Sequence, residues 1–536
     1  MGNPDAGLAG DYWHDTFFDM TTLLAETGAE GGPDEPPKFK RYLDRPRRPL
    51  PQRVPLRLGP LDRLLAGRPA PPPAPLRPGA ATHAATLGAL LYYGYGFSRV
   101  DVGPYTGWPY HRLVPSARCF YPTELYVVTP GGGEVPAGVH HYDQLHHALV
   151  ELRPGDHLGV LADAAGARFD GAAAVAVLTS HFWKTAFRYR HYAYRLCSQE
   201  AGMVAGNLLL VAEALGFAGH VHHQYLDEAA DRLLGLPEGE ERTMAIVPLY
   251  PADAAPRAVR PGARTTAADL RAVIPPLRAP YADVPKNLRS ASRLYDLDAA
   301  SVLRDTADFA PPAGVAAAAD MPAGAGAGNT PNGGPNDGAA GPSAPDLAVA
   351  LRERHSGGTL FRPLREPVRA DAVTRVARHV LGSAPADIGP PLTRPYLVVQ
   401  HVTGMEPGVY GVAGGGLHRL RDLPPGRLDG HLAYGPPVLD LTAVNAICYL
   451  MTDRDEATRR FGDRGYRIAA VDAGVAAQRV CVLAAASGLA ARTVNAYDVH
   501  EVRTLLGVDD DAAIPVFQIA LGRRGPGPQY EQPILF

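Results

Sequence analysis

The stretch Arg188–Gly216, RYRHYAYRLCSQEAGMVAGNLLLVAEALG, recurs in diverged form at Arg460–Gly488, RFGDRGYRIAAVDAGVAAQRVCVLAAASG. The two copies lie 272 residues apart, and the strand-like TMAIVPLY and PVFQIALG, which begin at residues 243 and 515, keep the same spacing. The spacing also relates identical residues: Tyr194 and Tyr466, Arg195 and Arg467, Gly202 and Gly474, and Leu233–Gly235 and Leu505–Gly507. A register kept over so long a stretch predicts a duplicated domain.

Each copy is predicted to contain an apolar helix flanked by short strands. The helix begins near Ala201 in the first copy and near Ala473 in the second, and it ends at the glycine that closes each stretch. Because it is apolar all round, we expect it to be buried on every side, as at the seam of a dimer or pseudo-dimer. Runs such as TELYVV at Thr123–Val128 and YLVV at Tyr396–Val399 predict strands. Helices between strands that are not neighbours favour an α+β fold.

The composition is that of an ordinary globular protein, with 536 residues, 46% hydrophobic and 20% charged. A net charge of -3 gives no basis for bulk attraction to nucleic acid or to an anionic membrane. The cysteines lie far apart, which argues against a disulfide framework and a zinc site, and His220 and His222 have no third ligand at suitable spacing, so no metal is predicted. The acidic N-terminal stretch lacks the pattern of a secretion signal, so we expect a soluble, cytoplasmic protein.

A low-complexity stretch divides the chain. Residues 311–346 are rich in Pro, Ala and Gly and have too few large apolar side chains to pack, which predicts a disordered linker. The linker separates a first domain, residues 61–310, from a second domain, residues 347–536. Residues 1–60 are rich in proline and are predicted to form an irregular arm that lies over the core.

Three passages together resemble one family. They are LVPSARCFYPTELYVV at Leu113–Val128, the repeated arginine–tyrosine–helix block, and LRERHSGGTLFRPL at Leu351–Leu364. The sequence resembles the FMN-dependent nitroreductase superfamily and, within it, the SagB/ThcOx-type azoline dehydrogenases in a tandem-domain form. The resemblance covers most of residues 10–300, and the back half resembles a more diverged nitroreductase domain. It implies two nitroreductase-like domains that form an intramolecular pseudo-dimer and bind FMN at their seam.

In this family each flavin lies in the dimer seam and is held by both partners. Of the two seams expected in a tandem chain, the sequence favours one, which we call seam A. The resemblance implies that the back half supplies phosphate-binding groups to seam A: Arg354, His355, Ser356, Asn495, Ala496 and Arg523. It implies that the front half supplies groups around the flavin ring: Pro115, Ser116, Ala117 and Glu200. Arginine forks and hydroxyl donors suit a phosphate dianion.

The converse arrangement, seam B, lacks the corresponding groups. At the front half's Arg-x-Ser position stands GRPAPPPAPL, Gly67–Leu76, which has no serine and many prolines. Where the back half needs a Pro-Ser-Ala turn it has PPLTRPYLVV, and the front strand that ends in PLYPADA lacks the closing arginine. The sequence therefore predicts a single FMN site, at seam A.

The dehydrogenase branch carries a Lys-Tyr pair just before the long helix. The front half has Arg188 and Tyr189 there, whereas the back half has Arg460 and Phe461, so the phenol survives only on the side that serves seam A. Tyr189 is the candidate base, with Arg188 and Arg190 favouring the phenolate electrostatically. The family's lysine could itself act as base, but a guanidinium does not deprotonate in proteins, so Arg188 departs from the family pattern.

The resemblance implies oxidation of thiazolines or oxazolines to thiazoles or oxazoles in a ribosomally made precursor peptide, beside a cyclodehydratase and with oxygen as the electron acceptor. In such a reaction flavin N5 takes a hydride and the protein takes a proton. Two alternatives stay open at this point. One is another flavin-dependent step on a peptide or small molecule, such as dehydroamino acid formation or reduction. The other is a flavin-free scaffold that binds peptide or partner enzymes.

Overall fold

The fold is described from a computed structural model. It describes residues 7–19, 22–23, 35–103, 108–256, 258–281, 286–313, 345–358, 361–382, 385–424, 426, 428, 439–525 and 531–534. Residues 314–344, which make up most of the predicted linker, lie outside the described residues.

Helices and strands alternate in both halves of the chain. The α-helices of the described residues are α1 Gly7–Phe18, α2 Leu61–Leu65, α3 Ala84–Tyr95, α4 Leu158–Ala164, α5 Trp183–Tyr189, α6 Ala193–Ala214, α7 Asp227–Leu234, α8 Ala267–Val273, α9 Ser292–Ala300, α10 Leu347–Glu353, α11 Ala370–His379, α12 Arg454–Phe461, α13 Arg464–Ala486 and α14 Val499–Leu506. The strands are β1 Arg47–Pro49, β2 Phe97–Asp101, β3 Tyr110–Arg112, β4 Thr123–Thr129, β5 Gly138–Asp143, β6 Ala148–Pro154, β7 Ala174–His181, β8 Phe217–Gly219, β9 Glu241–Pro251, β10 Val368–Arg369, β11 Thr393–Val399, β12 Val402–Thr403, β13 Gly408–Ala413, β14 Gly416–Asp422, β15 Ala446–Asp453, β16 Ala490–Val494, β17 Ala513–Gly522 and β18 Glu531–Pro533.

Two antiparallel sheets of matching topology form the cores of the two halves. The front sheet has the strand order β1-β6-β5-β4-β7-β9-β8, and the back sheet has the order β14-β13-β11-β15-β17-β16. Strands β7 and β15 lie 272 residues apart, as do helices α7 and α14. The mixed helix-and-sheet architecture and the duplication predicted from the repeat are therefore confirmed.

The long helices α6 and α13 pack against each other and join the two halves. Gly202 of α6 meets Gly474 of α13, its counterpart in the repeat, so this contact lies on a pseudo-twofold axis. A Cβ added to Gly202 would stand only 2.9 Å from the Cα of Gly474. Glycine at both positions is what lets the two backbones approach so closely.

Both long helices begin earlier than the sequence predicts, at residues 193 and 464 and not near Ala201 and Ala473. The prediction followed the apolar run and missed the polar first turns, whose hydrogen-bond partners come from elsewhere in the fold. Arg195, for example, donates to the main-chain carbonyl of Val516 in the back half at 3.0 Å. Glu200 consequently lies inside α6 and not at its start.

Helix α1 corrects the prediction of a wholly irregular arm. Tyr12, Trp13, Thr16 and Phe17 recur at helical spacing and are buried. They pack on Tyr466 of α13, whose ring centroid lies 4.4 Å from that of Trp13. The start of the arm is therefore a helix that lies against both halves, since Arg195 of α6 also donates to the main-chain carbonyl of Thr16.

Helix α13 is, among the described residues, the one helix long and apolar enough to cross a membrane, with a mean hydropathy of 1.6. Of its apolar stretch, 78% is buried inside the protein. It packs on α6 and on the back sheet, as the core helix of a soluble fold does.

Candidate functional site

The turn that precedes β4 is strained. Arg118, Cys119 and Tyr121 have positive φ angles of 49°, 57° and 51°. Such conformations cost of order 1–3 kcal/mol each in non-glycine residues and cluster at binding and catalytic sites. The Ser116 hydroxyl accepts a hydrogen bond from the main-chain N–H of Tyr121 at 2.9 Å. The predicted turn at residues 115–117 is thus part of a strained, internally bonded loop.

Glu200 of α6 contacts this turn. Its Oε1 accepts a hydrogen bond from the Tyr95 hydroxyl at 2.9 Å, and its carboxyl group is also hydrogen-bonded to Ser116. Burial raises the pKa of Glu200, although these hydrogen bonds and the charge of Arg112 oppose the shift. The structure therefore brings together the front-half residues predicted to surround the flavin ring.

Arg354 follows α10 and reaches across to the front half. Its Nε donates to the main-chain carbonyl of Leu113 at 2.9 Å, and its Nη2 donates to that of Arg112 at 3.2 Å. Because these carbonyls immediately precede residues 115–117, the back-half arginine and the front-half turn lie together at seam A. Burial and the neighbouring charge of Arg99 lower the pKa of Arg354 to about 10. A buried guanidinium next to a second positive charge suits an anionic ligand, because the ligand would balance both charges.

Three further arginines lie beside Arg354, and the sequence did not predict them. Arg99 Nη1 donates to the main-chain carbonyl of Arg354 at 3.0 Å. Arg492 Nη1 donates to the main-chain carbonyl of Ser356 at 3.3 Å. With Arg112 and Arg354 they form what we call the arginine cluster. No short motif marks Arg99, Arg112 or Arg492, because each is a single arginine in its own strand.

Arg112 is deeply enclosed within the arginine cluster. It is 1% exposed, and its guanidinium carbon lies 4.4 Å and 4.6 Å from the ring centroids of Tyr95 and Tyr121. In the part of the chain that the structure describes, its Nε and Nη1 atoms have no hydrogen-bond partner. Buried donors nearly always find an acceptor in folded proteins, so these atoms are donors available to a ligand.

Strand β18 closes one end of the arginine cluster. Glu531 Oε1 lies 2.8 Å from His355 Nε2 and 3.4 Å from Arg99 Nε. Although burial disfavours its charged form, the hydrogen bond to His355 and the charge of Arg99 lower the pKa of Glu531 to about 2. Ser356 Oγ lies 3.4 Å from Arg354 Nη1. The three predicted residues 354–356 are thus together, with His355 engaged by a carboxylate.

Asn495 and Ala496 follow β16 and face the first half of α6. The side-chain amides of Asn495 and Gln199 lie 2.6 Å apart. Ala496 packs against a small apolar cluster around Tyr192, and Tyr189 packs against the same cluster. These two back-half residues therefore meet the front half beside the candidate base.

Tyr189 ends α5 and is half-buried. Its ring centroid lies 6.2 Å from that of Phe120, which belongs to the strained turn. Arg188, in the last turn of α5, is also half-buried. The next residue, Arg190, has a positive φ of 49°, so the chain turns sharply directly after Tyr189. The candidate base thus stands between the strained turn and Ala496.

Arg523, which the sequence predicts to bind the phosphate, does not lie in the arginine cluster. Its side chain is 47% exposed, and its Nη1 donates to Glu366 Oε2 at 2.6 Å. The next residue, Arg524, approaches the cluster instead, with Nη1 3.3 Å from Glu531 Oε2. Successive residues of an extended chain point to opposite sides, and LGRRG alone does not tell which arginine faces the seam.

Seam B is closed by direct pairing of the two halves. Thr123 of β4 pairs with Ser180 of β7, and Thr393 of β11 pairs with Thr452 of β15, the residue equivalent to Ser180. The back-half counterpart of residues 115–117 is therefore residues 385–387, at a spacing of 270, and not the PPLTRPYLVV stretch that follows them. Ala386 forms a parallel β-bridge with Val221 of the front half. Within the described part of the chain, the equivalent segments of seam A form no such bridge.

Asp387 completes this closure. Its carboxylate accepts hydrogen bonds from the main-chain N–H groups of His223 at 3.0 Å and Gln224 at 2.8 Å. Burial raises the pKa of Asp387 to about 7, although these hydrogen bonds oppose the shift. The Gln224 side chain in turn bonds to Ala310 at 2.7 Å. The chain's own polar groups therefore fill the position in seam B that corresponds to the turn of seam A.

Comparisons with known proteins agree with this duplicated architecture. The model of the nitroreductase family matches residues 83–249 and 431–523. Among solved structures, a protein from Anabaena variabilis described as a candidate nitroreductase is 20% identical, covers 97% of this chain and 99% of its own, and has a TM-score of 0.70. A candidate nitroreductase from Ralstonia eutropha is 20% identical and covers 40% of this chain and 98% of its own, with a TM-score of 0.31.

The E. coli microcin synthetase McbBCD complex with truncated pro-MccB17 bound is 18% identical and covers 46% of this chain and 94% of its own, with a TM-score of 0.28. Among curated proteins, none matches the chain. The long alignment with the Anabaena structure spans both halves and the seam between them. The chain thus has the nitroreductase fold, and the nitroreductase family model matches it in two segments, one in each half.

Proposed function

We propose that this protein is an FMN-dependent oxidoreductase with one FMN per chain, bound at seam A. The observation that carries the proposal is the contact of Arg354, from the back half, with the segment just before the strained front-half turn. Beside it lie two Arg112 donors that have no hydrogen-bond partner among the described residues. The arginine cluster suits the phosphate of FMN, because guanidinium groups bind phosphate oxygens through charge-assisted hydrogen bonds. The closure of seam B around Asp387 supports one cofactor per chain and not two.

Residues from both halves would hold the rest of the cofactor. Ser116 and Glu200 would orient one edge of the flavin ring from the front half, and Asn495 and Ala496 would close the site from the back half. FMN, when bound, supplies a hydride acceptor. The protein's own residues must then position the substrate, exclude water and move the proton.

The finer proposal is azoline dehydrogenation on a peptide. Conversion of a thiazoline or oxazoline to the aromatic azole removes a hydride and a proton from adjacent ring carbons. Tyr189 takes the proton on its phenolic oxygen, and Arg188 and Arg190 are the positive groups next to it in the chain. The support is the resemblance of the sequence, together with the position of Tyr189 beside Phe120 of the strained turn.

The test uses the purified full-length protein and a synthetic thiazoline peptide. We expect one FMN per chain on denaturation. We expect Tyr189→Phe to keep its FMN and to lose roughly 100- to 10,000-fold in the rate at which two hydrogens leave each ring, measured by mass spectrometry. Phe461→Tyr, the equivalent position in seam B, is the matched control and should leave the rate unchanged.

Three results would contradict this proposal. Two FMN molecules per chain would contradict the single site, and full turnover by FMN-loaded Tyr189→Phe would remove Tyr189 from its role as base. A colourless protein would favour a non-catalytic scaffold. The partners that go with the proposed function are a precursor peptide and a cyclodehydratase, and the proposed location is the cytoplasm.

A further inference from the structure

Two buried ion pairs lie where the N-terminal arm meets the front sheet. Lys40 Nζ lies 2.5 Å from Glu241 Oε2, and Lys184 Nζ lies 2.5 Å from Glu124 Oε1, with all four side chains no more than 2% exposed. Lys184 also donates to the main-chain carbonyl of Lys38 at 3.3 Å. Removing one partner of a buried ion pair is strongly destabilising, so these contacts fix this part of the arm in place.

The fixed arm places Phe39 against two further rings. The Phe39 centroid lies 5.8 Å from that of Trp108 and 6.4 Å from that of Tyr110, and Trp108 and Tyr110 lie 5.4 Å apart. All three residues are only half-buried, and we call them the aromatic wall. Phe97, which is buried, packs against Phe39, and their ring centroids lie 5.8 Å apart. Contiguous apolar surface that stays accessible marks a binding site more often than chance.

The aromatic wall continues into the candidate site. Lys38 Nζ lies 5.6 Å from the ring centroid of Trp108 and 4.8 Å from that of Phe120. Phe120 in turn lies 6.2 Å from Tyr189. Lys38 Nζ also donates to Glu35 Oε1 at 2.6 Å, which balances its charge. Phe120 is buried, so the aromatic wall meets the candidate site through this ring and through the ion pair of Lys38 with Glu35.

We propose that the aromatic wall binds planar rings of a peptide substrate that lie outside the ring being oxidised. This proposal rests on the proposed function, because a peptide with one ring beside Tyr189 must run along the adjoining surface. Contact between two aromatic rings contributes about 0.5–1.5 kcal/mol beyond the burial of apolar area. The balanced charge of Lys38 gives no preference for acidic peptides. The aromatic wall would thus make the enzyme prefer peptides that carry a second planar ring near the reacting one.

Trp108 can report this binding directly. The chain has three tryptophans, and the other two, Trp13 and Trp183, are each 1% exposed, so acrylamide quenching of the fluorescence follows mainly Trp108. The probe is a synthetic peptide with one thiazoline and one thiazole, and we expect it to protect Trp108 from quenching. We expect Phe39→Ala and Trp108→Ala each to raise KM about two- to tenfold, with kcat and FMN content unchanged.

Two variants serve as controls. Trp108→Phe keeps an aromatic ring and should keep the wild-type KM, which separates the loss of ring contact from misfolding. Val273→Ala, on α8 at a side chain that is 67% exposed, should change neither KM nor quenching. Both controls are measured with the same two-ring peptide.

Unchanged quenching at saturating peptide, or an unchanged KM in both alanine variants, would overturn the aromatic wall as a binding surface even while oxidation proceeds. An equal KM for a peptide of the same length without the second ring would overturn the assignment to planar groups. Protection of Trp108 in a protein that is colourless, or that removes no hydrogens, would refute the proposed function and support the aromatic wall.

Discussion

Replacement of Gly202 by alanine should destabilise the protein, although alanine normally favours a helix by about 0.5–1 kcal/mol over glycine. The new Cβ would stand 2.8 Å from the carbonyl carbon of Val471 and 2.9 Å from the Cα of Gly474, and closer still to the Val471 oxygen. Ordinary contact begins near 3.4 Å, and the Val471 oxygen is the closest atom, so α6 and α13 must separate by roughly an ångström or more. The opposing atoms belong to the main chain, so a change of rotamer cannot relieve the overlap. Overpacking typically costs 1–3 kcal/mol, and we expect the free energy of unfolding to fall by about 2 kcal/mol after the gain in helix propensity.

Urea unfolding followed by circular dichroism measures this change. Gly10→Ala in α1 is the matched control, because nothing lies within 4 Å of its added Cβ, and it should be as stable as the wild type or more so. The FMN content of Gly202→Ala should also fall, since Gln199 and Glu200 lie on the same stretch of α6. A Gly202→Ala protein as stable as the Gly10→Ala control would refute the claim that these glycines set the distance between the halves.

Arg354→Met should lose FMN on gel filtration, whereas Arg523→Met should retain it because the Arg523 guanidinium bonds to Glu366. Equal retention by the two variants would contradict the assignment of the arginine cluster to the phosphate. Asp387→Asn should become more stable relative to the wild type as the pH rises from about 4 to about 7, by up to a few kcal/mol, and the difference should level off above pH 7. The sign follows because burial raises the pKa of Asp387 from 3.8 to about 7, so its contribution to stability is present at low pH and is lost as the pH rises through the folded-state pKa. Thermal unfolding of both proteins across this range measures the difference, and a constant offset would contradict the titration.

The duplication could be predicted from the sequence because its spacing is a one-dimensional signal. A constant offset of 272 residues survives divergence wherever strands and helices keep their lengths, as β7 and β15 do. The arginine cluster could not be predicted in full, since its members are brought together only by tertiary contacts. Arg492, for example, bonds to Ser356, which lies 136 residues away in the chain. The orientation of Arg523 could not be predicted for the same reason, because it depends on the direction that the chain takes after β17.

The two corresponding turns both have a left-handed backbone at one equivalent position, but the residue at that position differs between them. In the back half a positive φ of 82° falls on Gly389, which adopts it without strain, whereas the equivalent front residue is Cys119, with a φ of 57°. Strain of order 1–3 kcal/mol per residue persists only where the surroundings enforce it. At the front turn, Ser116 and the contacts of Arg354 from the other half supply that enforcement. The back turn has instead relaxed into pairing with the front half through Asp387, which shows that the fold has a less strained way to close this position. Backbone strain that persists in one turn and not in its duplicate is typical of a binding site, and this difference supports the proposed single seam independently of which side chains each half has kept.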